Sequence, residues 1–87
     1  MPQDYAQAHH WYLQAAGQGH ARAQFNLGLM FLFGQGVRAD PAQAWMWLSM
    51  AERGGFAAAA RYLKNAAARM DSAQLAQARE RIETLPG

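Results

Sequence analysis

The 87-residue chain carries few side chains of the kind that do chemistry: no cysteine, three histidines and six carboxylates. Without cysteine there is no disulfide, thiolate metal site or thiol nucleophile. His9 and His10 adjoin on a predicted helix, where neighbouring side chains point about 100° apart, so they do not share a chelating face. His20 falls in a predicted turn, and no metal site is expected. Asp4, Asp40 and Asp71 each begin a predicted helix, which assigns them a structural task. Glu52 lies in a last turn, while Glu80 and Glu83 sit on the final helix and are read as solvated. General acid–base work needs two such groups in one pocket, and the spacing favours no pair. Ser49 and Ser72 lack a Gly-x-Ser-x-Gly turn. The chain is therefore read as non-catalytic, with no catalytic, cofactor-binding or metal-ligating residue and no cofactor.

The elements that hold these residues are legible from composition. Alanine fills 20 positions, whereas Val37, Ile82 and Thr84 are the only β-branched residues, a balance that favours helix and excludes a β domain. At this length one small domain is expected, burying roughly 60–65% of its unfolded surface. No apolar run reaches the roughly 18–20 residues of a bilayer span, so no membrane association is expected. No targeting signal is read within the chain, and the compartment is left open. The net charge of +2 makes the pI of about 9.5 a weak pointer to an anionic partner.

Asp4-x-x-Gln7, Asp40-x-x-Gln43 and Asp71-x-x-Gln74 are Asp versions of the capping box, and Pro41 suits a first helical position. Gly17 and Gly19, Gly34 and Gly36, and Gly54-Gly55 mark helix ends. Helices are predicted at about 4–17, 21–33, 41–53, 56–69 and 72–84, with short connections that imply antiparallel neighbours. Ala44, Trp47, Leu48 and Ala51 form the apolar stripe of the third helix, and Leu75, Ala78, Ile82 and Leu85 that of the last, with Arg79 and Glu83 paired on its wet side. Small residues at Ala23, Gly28, Ala44 and Ala51 predict close helix approach.

A shift of 36 residues brings two stretches into register. Asp4 falls on Asp40, Gln7 on Gln43, Trp11 on Trp47, Gly19 on Gly55 and Leu27 on Leu63. Ala8, Ala15, Ala21 and Ala23 fall on Ala44, Ala51, Ala57 and Ala59. Trp11 and Trp47 thus hold equivalent positions and are expected to fill the hairpin core; Trp45 has no equivalent.

The pattern Ala21-x-Ala-Gln-x-x-Leu-Gly28, then Gly34-x-Gly-Val37, Asp40 and Ala44-x-x-Trp-Leu-x-x-Ala51 before Gly55 resembles the Sel-one-like repeat family, relatives of the tetratricopeptide hairpins. The resemblance spans roughly residues 4–64 and implies an all-α solenoid of stacked antiparallel hairpins, about one and a half repeats plus a C-terminal capping helix. On this reading 4–19 is the second helix of an incomplete repeat, 20–55 a full repeat, 56–70 the first helix of the last repeat and 71–87 the cap. Two departures stand out: in the helix at 56–69 Lys64 replaces the packing glycine and no Gly-x-Gly-Val follows it, and the chain is read as starting on a repeat's second helix, which would leave an apolar edge. The resemblance implies a scaffold, often bacterial, that binds or assembles proteins and carries no catalytic residues.

Aligned to that family, the first helices of the repeats are expected to offer a concave face to an unidentified protein or peptide. Arg22, Phe25, Asn26, Leu29 and Phe33 come from one repeat; Arg61, Tyr62, Asn65 and Arg69 come from the next at the same offset. Tyr and Arg are enriched at binding hot spots. The alternative is that Phe25, Leu29 and Phe33 only pack internally. Arg53, Arg61, Lys64 and Arg69 are too few, with Glu52 beside them, for the broad basic surface that nucleic acid requires. They are read as a solvated face, with a local docking site for an acidic peptide segment as the intermediate reading. A separate expectation is a homodimer formed through an open N-terminal edge.

Overall fold

The computed structural model describes the backbone of residues 5–84 and the side chains of residues 7–81. Five helices run in order: α1 (Tyr5–Gly17), α2 (Ala21–Phe33), α3 (Pro41–Arg53), α4 (Ala59–Ala68) and α5 (Ser72–Thr84). No strand occurs among the described residues. Helices adjacent in sequence pack together from α1 through α4, α5 returns onto α3, and α2 meets α4 along one edge. This is a short all-α stack with the α2–α3 hairpin at its centre.

Local chemistry accounts for most helix ends. The Asp40 carboxylate accepts from the backbone N–H groups of Ala42 (3.1 Å) and Gln43 (3.2 Å) ahead of Pro41-led α3. Asp71 and Gln74 close a reciprocal box: the Gln74 N–H donates to Asp71 (2.8 Å) and the Asp71 N–H to the Gln74 side chain (3.1 Å). At the end of α2, Gly34 adopts φ 69° and Gly36 φ 74°, conformations that strain any residue with a Cβ. That turn lets the Asp40 N–H come back to the Phe31 carbonyl (2.8 Å), so one loop both ends α2 and starts α3. Asp4 lies outside the described residues, as do Leu85 and the side chains of Ile82 and Glu83.

One boundary differs from expectation. The fourth helix begins at Ala59 rather than near 56. The N–H groups of Ala59 and Ala60 bond three residues back, to Phe56 and Ala57, so 56–58 form a tight turn. Ala58, at the N-cap, has no side chain that can accept a bond and start the helix earlier.

The core is built on small-against-large contacts. Leu27, Leu32 and Leu48 are fully buried, as are Ala44, Ala51, Ala59 and Ala66. Gly28 faces Leu48 so closely that a Cβ there would lie 2.7 Å from Leu48 Cγ and 3.3 Å from the Ala44 carbonyl oxygen. The helical cost of a mid-helix glycine, about 1 kcal/mol, is thus offset by close packing of α2 on α3. Gly54 does the same at the other end of the hairpin, where its missing Cβ would lie 2.9 Å from that of Ala21. Buried Gln24 donates to the carbonyl of buried Ala16 (3.2 Å), tying α2 to the last turn of α1.

The two equivalent tryptophans part company. Trp47 is half-buried against Ala16, Ala23 and Leu27, whereas Trp11 is 69% exposed and fills no hairpin core. The reason is positional: α1 packs mainly on α2, through His9, Tyr12, Ala15 and Ala16, while Trp11 lies on a face that no described element covers. Trp45 is half-buried against the α3–α4 core.

Candidate protein-interaction surface

The expected groove residues fall on two neighbouring helices. On α2, positions 22, 25, 26, 29 and 33 follow three- and four-residue spacing and share a side of the helix. On α4 and its C-cap, positions 61, 62, 65 and 69 do likewise. The ring contacts show that the two helices run in the same direction, because Phe25 and Phe33 of α2 meet Tyr62 and Arg69 of α4 in ascending order.

Four of the nine residues meet in one seam. Phe25 stands edge-on to Tyr62 (centroids 5.5 Å apart), and Tyr62 is perpendicular to Phe33 at 6.4 Å. Such edge-to-face pairs each contribute about 0.5–1.5 kcal/mol beyond area burial. Arg69 closes the row, its guanidinium carbon 5.8 Å from the Phe33 centroid. The same guanidinium donates to the Leu32 carbonyl (2.9 Å), one of the orphan acceptors at the C-terminus of α2. Arg69 therefore binds α4 to α2 and presents Phe33, which remains 47% exposed.

The remaining residues are placed less uniformly. Leu29 is half-buried against the α3–α4 core, and Asn26 is half-buried. Arg22, Arg61 and Asn65 are exposed and are not drawn into the ring seam. Phe56, absent from the expected set, stacks on Phe25 at 4.7 Å and extends the seam under α4. The 36-residue register sets Phe56 against His20, a turn position, which is why the repeat pattern did not select it.

The polar residues considered for catalysis or metal binding lie elsewhere. His9 is half-buried, edge-on to Phe31 at 5.5 Å, and its buried Nδ1 has no hydrogen-bond partner among the described residues. His10 is exposed beside Gln14 (3.4 Å). The Asp40 and Asp71 carboxylates are engaged in their caps. Among the described residues no three His, Asp or Glu side chains converge. No helix among them is long and apolar enough to cross a membrane.

Comparison with known proteins agrees with this architecture. The Sel1 repeat profile matches residues 1–20 and 21–56. An uncharacterized protein of Neisseria meningitidis serogroup B is 48% identical over 55 residues, covering 63% of this chain and 12% of that protein. Chitin synthase regulatory factor 3 of Schizosaccharomyces pombe is 37% identical over 67 residues, covering 77% of this chain and 7% of that protein. The chain thus spans about a tenth or less of the length of these relatives. Sel1 repeats generally mediate protein–protein interaction and are typically non-catalytic. The repeat pattern, the glycine-spaced helical hairpin and the profile match over most of its length together establish that the chain belongs to the Sel1 repeat family.

Proposed function

We propose that the chain is a non-catalytic interaction scaffold whose α2–α4 face receives a segment of a partner protein. The observation that carries this reading is the aromatic seam ending in Phe33, a ring 47% exposed yet held in place by Tyr62 and Arg69. An exposed ring already fixed by its neighbours loses little side-chain freedom on binding, which favours affinity. Arg22, Asn26, Leu29, Arg61 and Asn65 would surround that anchor with polar and apolar contacts. Residues 20–55 act as a full repeat, 56–70 as the first helix of the next and 71–87 as a cap, whose helix α5 packs on α3. The likeness to a chitin synthase regulatory factor is in keeping with a regulatory rather than catalytic role.

The test is selection of random twelve-residue peptides on the wild-type chain, followed by affinity measurement with Phe33→Ala and Tyr62→Ala. Each variant is expected to bind selected peptides at least tenfold more weakly, about 1.4 kcal/mol, with helical circular dichroism retained. Unchanged affinity for both would remove this face from the site.

A second reading rests on a different surface. Trp11 (69% exposed) and Leu13 (43%) lie on α1, and residues 5–19 contain no Asp, Glu, Lys or Arg. Covering such a helix desolvates no charge, so a homodimer formed through α1 is the alternative assembly.

A further inference from the structure

The charge of the proposed docking face is one-sided. Residues 20–35 and 56–70, which span α2, α4 and their caps, contain Arg22, Arg61, Lys64 and Arg69 and no Asp or Glu. The acidic residues all lie outside these two stretches. Two of them, Asp40 and Asp71, have their carboxylates turned to helix N-termini. Glu52 is followed at once by Arg53, so the end of α3 adds no net charge next to the face.

Two of these four cations are available to a ligand on the face. Arg22 and Arg61 are exposed and make no hydrogen bond or ion pair among the described residues, whereas Lys64, at the position of the packing glycine, lies off the row of 61, 62, 65 and 69. Arg69 is already committed to the Leu32 carbonyl and the Phe33 ring. Because α2 and α4 run in the same direction, Arg22 and Arg61 lie toward their N-terminal ends, where the helix dipoles add to the positive potential. The exposed Phe33 ring lies at the other end. Eleven residues of α2 separate Arg22 from Phe33, about 16 Å at the helical rise, a span that about five extended residues cover.

We infer that this face selects acidic protein segments, in which Asp or Glu side chains meet Arg22 and Arg61 while an apolar residue rests on Phe33. The inference rests on the docking role proposed above and specifies the chemistry of the partner. A protein segment is favoured over nucleic acid because one end of the face is aromatic and apolar. Nucleic-acid binding instead draws its affinity from many phosphate contacts, and two exposed arginines supply few.

The experiment uses the peptides selected on the wild-type chain, with an oligothymidylate of twelve nucleotides as the rival polyanion. The selected peptides are expected to be enriched in Asp and Glu. Arg22→Gln with Arg61→Gln should weaken them at least tenfold at 50 mM salt, an effect that shrinks severalfold at 500 mM as screening sets in. Both residues are exposed and have no partner among the described residues, so helicity should be unchanged. If the peptides depend on Phe33 and Tyr62 but are neutral or basic, or ignore the double substitution, the charge inference is overturned while the docking role stands. Peptides indifferent to all four residues, or no selected peptides at all, would overturn both. Binding of the oligonucleotide as tight as that of the peptides, lost in the double variant, would overturn the assignment to a protein segment.

Discussion

The same substitution should act differently at two glycines, because an added Cβ meets a side chain at Gly28 and nothing within 4 Å at Gly17. At Gly28 a new Cβ would lie 2.7 Å from Leu48 Cγ, an inner branch point of a fully buried side chain. The helix-propensity gain of Gly28→Ala, about 1 kcal/mol, is then outweighed by overpacking, which costs about 1–3 kcal/mol. At Gly17, the last residue of α1, nothing lies within 4 Å of the added methyl. Urea titration should therefore show Gly28→Ala with a lower midpoint than wild type and Gly17→Ala with an equal or higher one. A Gly28→Ala chain as stable as wild type would refute the close α2–α3 approach.

Between elements, the most consequential single contact is Arg69. It joins positions 37 residues apart in sequence, and the pairing of α4 with α2 depends on it together with the Phe33–Tyr62 rings. Arg69→Gln removes the stacked guanidinium and weakens the bond to the Leu32 carbonyl. Its cost should be about 1 kcal/mol, toward the low end for charged hydrogen bonds because the arginine is largely exposed. Hydrogen exchange should quicken in α4 and the last turn of α2 but not where α1 meets α2, which Gln24 holds independently. Uniform quickening across the chain would mean that the helices open as one unit. The helix ends themselves were legible in advance from Asp40, Asp71, Gly34 and Gly36. The start of α4 was not, because an Ala-rich stretch carries no capping side chain to mark it.

At the scale of the molecule, helices stacked in sequence leave their outermost faces bare unless something lies across them. The side of α1 that carries Trp11 is such a surface. If it mediates homodimerisation, light scattering after size exclusion should give a mass that rises toward twice 9.6 kDa with concentration. Trp11→Glu should hold the chain at the monomer mass by burying a charge in that contact. A monomer at every concentration would leave the α2–α4 face as the sole candidate interface.

Trp11 and Trp47 show where local information ends. Capping, glycine conformation and apolar spacing act within a few residues, so amino-acid order dictated the helices, their hairpin pairing and the 36-residue register that aligned Phe25, Phe33, Tyr62 and Arg69. Burial is not local: it depends on which other helix lies across a side chain. Two tryptophans identical by register therefore differ in exposure, since α2 and the end of α1 cover one and no described element covers the other. The same holds for Phe56 stacking on Phe25 and for Arg69 reaching the Leu32 carbonyl. Those contacts join residues dozens of positions apart, and only the packing of α4 against α2 brings them within bonding distance.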